Sequence, residues 1–197
     1  MSLFVLVNPV MRLFIGLKLP KKQKARIFRA ARPLREEELP VRWVDPENFH
    51  VTLKFLGEVR RDRLPAIEGA LGRIASETPP FSTSIGGFGA FPSVRRPRVI
   101  WVGVGACPEL RCLKQDLEWT LSELGFDVET RAFHPHVTLG RARPDGGVGV
   151  FRGLDICFSE LRLEEELRIH TVDLMESRLS PGGAKYRVVS GARLAAA

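Results

Sequence analysis

The sequence predicts an α+β fold, bilobal and duplicated: two antiparallel β-sheets backed by helices, with a central cleft between them. Three observations predict it. The word His50-Val51-Thr52-Leu53 returns unchanged as His136-Val137-Thr138-Leu139. Strand and helix patterns run in the order β-α-β-β-α-β-β-α-β-β-β, roughly a doubled unit in which each half carries one copy of the word. The chain has 197 residues and is 44% hydrophobic, enough to bury a sizeable core.

Met1 to Val10 lacks a basic start and a small-residue cleavage site, so residues 1–10 read as an N-terminal extension and not as a signal peptide. The bilobal domain is expected over 11–192, with 193–197 as a tail. Arg12 to Lys18 is a buried strand, and Pro20 punctuates it. Lys21 to Glu38 has helical spacing at Ala25, Ile27, Phe28, Ala31 and Leu34, with Pro33 breaking or kinking it near its end. Arg42-Trp43-Val44 is a short strand, and Asp45-Pro46-Glu47-Asn48 turns into the first copy of the word. Asp62 is placed to cap a helix running to about Glu77, with Leu64, Ile67, Ala70, Leu71 and Ile74 on its buried stripe.

Phe81 to Phe91 alternates as a strand with a bulge at Gly86-Gly87. Arg98 to Val104 is a β-branched strand. A helix follows from about Pro108 to Leu124, stopped by Gly125. Phe133 to Gly140 is the second motif strand, and Pro144 to Gly149 is a glycine-rich loop. Glu160 to Glu166 is a solvated strand or loop. Arg168 to Ser177 is a strand, turned back at Ser180-Pro181-Gly182-Gly183 into a partner over Tyr186 to Leu194.

Val, Thr and Leu in alternation make each copy of the word a strand whose successive side chains point to opposite faces. His50 and Thr52 share one face, about 6.6 Å apart at ~3.3 Å per residue; Val51 and Leu53 share the other and lie on the core. The chain has only four histidines, and two of them fall in identical words. Two such strands facing one cleft present two imidazoles and two hydroxyls. That set suits in-line displacement at phosphorus. A neutral imidazole takes a proton from the attacking oxygen, a protonated one gives a proton to the leaving oxygen, and hydroxyls donate to the non-bridging oxygens. A strained ring ester such as a ribose 2′,3′-cyclic phosphate needs no metal for this.

The paired H-V-T-L words resemble the signature of the two-histidine phosphoesterase superfamily. T-L-K-F-L-G-E-V after the first copy and T-L-G-R after the second resemble its RNA 2′,3′-cyclic phosphodiesterase branch, long called 2′-5′ RNA ligase. The likeness extends to Arg12–Leu17, to Phe91-Pro92 followed by Arg98–Val102, and to Leu174-Met175-Glu176-Ser177. It implies a bilobal architecture with the N- and C-terminal strands in one lobe. It also implies hydrolysis of RNA-terminal cyclic phosphates to 2′-phosphomonoesters, with His50 as proton donor and His136 as proton acceptor; strand geometry leaves that direction open. Reversal, with a 5′-hydroxyl in place of water, is 2′-5′ ligation.

Thr52 and Thr138 are the expected phosphate contacts, against the ordinary reading of a strand threonine as a β-former. Arg141 is a natural phosphate partner, but five positions separate it from His136, so a straight strand aims them oppositely; Gly140 is expected to release the strand. Lys54 has the parity of His50 and is expected at the cleft rim or in solvent. His134 forms His-x-His with His136, yet no acidic residue lies between Ala132 and Arg143, so no metal and no cofactor is expected. His170 reads as an ordinary strand histidine. Phe55, Phe91 and Trp101 are candidates for base stacking, more ordinarily core.

The net charge of +7 favours anionic partners such as RNA, tRNA fragments among them, and fits equally a solvated arginine-rich surface. No apolar run approaches the ~18 residues of a membrane span. Cys107, Cys112 and Cys157 show no zinc or disulfide spacing and point to a reducing cytoplasm. A monomer is expected. The alternatives are a non-catalytic RNA-binding module, a metal-dependent phosphohydrolase, and a phosphodiesterase for small nucleotide cyclic phosphates or oligoadenylates.

Overall fold

The computed structural model describes residues 10–144, 149–180 and 183–195. Nearly all of the predicted N-terminal extension and most of the glycine-rich loop lie outside these. The strands are β1 Val10–Lys18, β2 Val41–Trp43, β3 His50–Arg60, β4 Phe81–Phe91, β5 Val99–Val104, β6 His136–Ala142, β7 Glu164–Ile169, β8 Thr171–Ser180 and β9 Gly183–Arg193. The helices are α1 Lys21–Ala30, α2 Arg32–Glu36, α3 Leu64–Glu77, α4 Pro108–Glu123 and α5 Leu154–Glu160, and a 3-10 turn, Pro46–Asn48, leads into β3.

Among the described residues the strands join in the order β7-β4-β5-β6-β3-β1-β8-β9, with β2 on β6. Every pairing is antiparallel. The two expected sheets are present as its two halves, β3-β1-β8-β9 and β7-β4-β5-β6. They are hydrogen-bonded into one sheet at a single pair, Val51 with Val137. The first and last strands share a half, as the resemblance implies. One residue, His170, separates β7 from β8, although these strands lie near opposite ends of the order. The sheet therefore curls until its ends approach each other, and the Leu194 N–H donates to the His170 carbonyl at 2.9 Å.

One face of the sheet meets the helices. Leu13, Ile15 and Leu17 of β1, Val51 and Leu53 of β3, and Val137 and Leu139 of β6 are all buried there. Each such side chain stabilises the fold by about 1.5–3 kcal/mol relative to exposure. The predicted stripe of α3 is buried at Ile67, Ala70, Leu71 and Ile74, and α4 buries Leu110, Leu113, Leu117 and Leu121. Gly125 ends the α4 segment at φ 79°, a left-handed conformation that favours glycine.

Several expectations need correction. Lys21 to Glu38 is two helices: α1 stops at Ala30, and Pro33 sits in the first turn of α2, where its missing N–H costs nothing. The N-cap of α3 is Arg63, and Asp62 pairs with Arg60. Leu154–Glu160 is a helix, held by buried Leu154 and Phe158. Arg168 to Ser177 spans the change from β7 to β8 and is not one strand. Residue 193 begins no tail: Arg193 closes β9, Leu194 is 3% exposed, and the Ala195 N–H donates to carbonyls of Ala75 and Thr78.

Candidate active site

The Val51–Val137 pair lies at the join between the halves. Extending an antiparallel register by one residue each way sets His50 opposite Thr138 and Thr52 opposite His136 on the other face, that of the cleft. The histidines are then diagonal neighbours across the join, near enough that the charge of His136 is felt at His50. All four side chains are half-buried.

The two imidazoles are held in the same way. His50 Nδ1 lies 2.7 Å from the Asn48 carbonyl, and His136 Nδ1 lies 2.7 Å from the His134 carbonyl. A carbonyl only accepts, so Nδ1–H donates in both and each Nε2 carries the exchangeable function. The Thr52 hydroxyl is 3.2 Å from His50 Nε2 and donates to it when the ring is neutral. Aromatic rings flank both. Phe14 and Tyr186 stand 4.9 and 4.6 Å from His50, and Phe91 and Trp101 stand 5.2 and 6.2 Å from His136.

Those walls set the electrostatics. Burial lowers His50 to about 4; the Asn48 carbonyl opposes this, and His136, Arg141 and Lys24 reinforce it. His136 is also lowered, by burial first and then by Arg141 and His134 against the His134 carbonyl. Lowered from the ordinary value, both rings are neutral near pH 7, and the exposed Arg141 supplies the positive charge beside them. An arriving anion would favour protonation.

The parity problem at Arg141 resolves through a feature that both copies share. In the β1–β3 ladder Gly16 pairs with Thr52 and Ile15 with Lys54, passing over Leu53; in the β5–β6 ladder Trp101 pairs with Thr138 and Ile100 with Gly140, passing over Leu139. The leucine of each word is the extra residue of a β-bulge, which reverses the alternation after it. Arg141 is therefore on the cleft side, exposed, with its charge felt at both histidines. Gly140 is needed for a different reason from the one expected. Its φ lies outside the left-handed region, but a Cβ there would come within 2.5 Å of Val41 Cγ1 and 2.8 Å of Trp43.

The same bulge corrects Lys54. It leaves the cleft face, is 3% exposed, and forms an ion pair with Glu118, which also takes Lys114 and the Glu129 N–H. Its Nζ also donates to the Asp127 carbonyl at 2.7 Å. Phe55, in the place that Arg141 holds in the other copy, is 67% exposed and lies 6.0 Å from Phe14. His134 is exposed and contributes its carbonyl to His136. Among the described residues no group of three or more His, Cys, Asp or Glu side chains is placed to hold a metal ion. Sequence reading missed Phe14, Tyr186 and the service of Asn48. Tyr186 is the chain's single tyrosine, yet only the curl of the sheet brings it to His50.

Comparison with known proteins places the chain's fold and sequence among relatives. The LigT-like phosphoesterase family profile matches residues 17–101, which hold the first word. Longer matches span both words. The RNA 2′,3′-cyclic phosphodiesterase of Thermotoga maritima is 33% identical over 91% of this chain and 93% of its own. That of Aeropyrum pernix is 36% identical over 78% and 84%. Among solved structures, TT0787 of Thermus thermophilus superposes with a TM-score of 0.78 at 27% identity, covering 93% of this chain and 98% of its own. Escherichia coli LigT complexed with 3′-AMP gives 0.74 at 26%, covering 94% and 99%. With the doubled word, its two bulges and the matched curled sheet, the chain belongs to the LigT-like phosphoesterase family.

Proposed function

We propose that this protein opens ribose 2′,3′-cyclic phosphates at RNA ends, tRNA fragments among them, to give 2′-phosphomonoesters. The observation that carries the reading is the pair of imidazoles held alike at Nδ1, presenting two Nε2 atoms to one cationic cleft. Relatives whose matches span both words of this chain are named RNA 2′,3′-cyclic phosphodiesterases, which supports RNA as substrate.

The substrate is a phosphodiester monoanion. Arg141 donates to its non-bridging oxygens by charge-assisted hydrogen bonds, and the Thr52 and Thr138 hydroxyls complete the cradle. The substrate's charge raises the lowered His50, which enters the reaction as imidazolium. His136 Nε2, neutral, takes a proton from water as the water oxygen bonds to phosphorus. The bond from phosphorus to the 3′ oxygen breaks, and His50 Nε2–H supplies that oxygen's proton. Ring strain makes the leaving oxygen a good one. With a 5′-hydroxyl in place of water the same displacement forms a 2′-5′ linkage as the 3′ oxygen leaves, outcompeted by the high concentration of water.

The test is turnover of a short RNA with a cyclic end in EDTA, followed by product analysis. A 2′-phosphate product at an undiminished rate is expected. Absence of turnover would mean a binding module, and loss of activity in EDTA restored by divalent ions would mean a metal-dependent hydrolase. A 3′-phosphate product would reverse the assignment of the leaving oxygen.

A further inference from the structure

Both catalytic imidazoles lean on the carbonyl two residues before them, but the two carbonyls are braced differently. That of His134 lies in an exposed segment without regular structure. That of Asn48 closes the 3-10 turn, which is pinned within itself and from α1: Asp45 Oδ1 accepts the Glu47 N–H at 2.8 Å, and Lys24 Nζ donates to the Glu47 carbonyl at 2.5 Å.

The Asn48 side chain adds a link that, among the described residues, no other side chain of the turn makes. Its Nδ2 donates to the Ala184 carbonyl at 3.3 Å, and its Oδ1 accepts the Tyr186 N–H at 3.3 Å. These partners open β9, three places from β3 in the sheet order. In a flat sheet that is about 14 Å at ~4.8 Å per strand, beyond an asparagine's reach. The contact exists because this half curls, and the amide spans the curl. The strand it grips carries Tyr186, whose ring meets His50 edge-on at 4.6 Å.

We propose that Asn48 is a positioning residue for His50, resting on the reading of His50 as proton donor. One residue holds the imidazole's Nδ1–H with its backbone and, with its side chain, holds the strand that seats the ring's aromatic neighbour. Loss of the side-chain amide lets β9 and Tyr186 drift and leaves the Asn48 carbonyl braced by the turn alone. Small displacements at a reacting group are costly, since a misplacement of about 1 Å lowers rates roughly a hundredfold.

The experiment compares wild type, Asn48→Ala and Asn48→Asp, the last keeping the acceptor for Tyr186 N–H while losing the donor to Ala184. Two readouts are taken: kcat and KM on a cyclic-phosphate dinucleotide, and NMR titration of the His50 and His136 ring protons without substrate. Asn48→Ala is expected to lower kcat at least tenfold with KM within about twofold, and Asn48→Asp to fall between. The His50 titration moves, while that of His136, braced elsewhere, stays put. Should Asn48→Ala not fold, Tyr186→Ala is expected to move the His50 titration alone. Unchanged kcat, or His50 and His136 shifting together as general loosening would give, overturns the proposal. If no variant turns over any cyclic phosphate, the catalytic reading has failed, and the titrations still decide whether Asn48 positions His50.

Discussion

The proton affinity of His50 is the sharpest test of the cleft. Burial beneath Phe14 and Tyr186 is the main cause that takes the ring from its ordinary 6.5 to about 4. A lowered folded-state value means that the unfolded chain binds more protons between those limits, so stability rises with pH across that window. The contribution of His50 is complete above pH 6.5 and drains away as pH falls toward 4. The interval converts to roughly 3 kcal/mol in full, of which about 2.5 kcal/mol is lost by pH 4.5. Urea denaturation of wild type and His50→Gln at pH 7.5 and 4.5 isolates it: wild type should lose about 2.5 kcal/mol more than the variant. Sulfate, an anion that does not titrate in this range, should raise the His50 value in an NMR titration, and its affinity should strengthen as pH falls below 6.5. Turnover should follow. The profile of kcat/KM reports the free enzyme and should peak on the acid side of 6.5, while that of kcat, with the substrate anion in place, should peak higher. A ring that titrates at 6.5 or above without anion, or that ignores sulfate, refutes the reasoning.

Other consequences can be checked singly. Arg141→Ala should cut kcat/KM by about a hundredfold through loss of charge-assisted hydrogen bonds, and should raise both histidines toward their ordinary value in an NMR titration. Glu118→Gln leaves Lys54 and Lys114 without their shared carboxylate and should cost about 3–5 kcal/mol, read as a fall in Tm of roughly 6–20 °C. Lys54→Met should leave kcat within about twofold of wild type because its side chain is away from the cleft, and a hundredfold loss would return Lys54 to the site. Gly140→Ala drives a methyl into Val41 and Trp43 and should destabilise by about 1–3 kcal/mol in thermal denaturation.

The duplicated word makes the candidate catalytic face legible in the sequence, because strand alternation separates His and Thr from Val and Leu. It also made the fold legible in outline, since α3, α4 and most strands lie where period and punctuation put them. What stayed hidden depended on pairing partners. Nothing local in Thr-Leu-Lys or Thr-Leu-Gly announces that the leucine is passed over in the ladder, so parity misplaces Lys54 and sets Arg141 at odds with its expected phosphate role until the bulge is seen. The change of strand at His170 was invisible for a similar reason. Residues 168–177 read as one extended run, and only their partners, β4 and β1, divide it. Phe14, Tyr186 and Asn48 reach His50 through the curl of one half, a property of several strands together.

The single backbone pair between the halves gives the cleft a fulcrum with arms of unequal length. His50 and His136 sit one residue from Val51–Val137, whereas Phe55 and Arg141 sit four residues from it. A relative rotation of ~10° about that pair would carry the histidine backbones by roughly 0.6 Å and the outer positions by roughly 2.3 Å, at ~3.3 Å per residue. Phe55 and Arg141 mark opposite ends of the antiparallel join, so a small rotation would move both ends while the spacing of the two histidines hardly changes. Spin labels at positions 55 and 133, which face each other across the join in that register, would read such a rotation as a change in their distance on adding RNA.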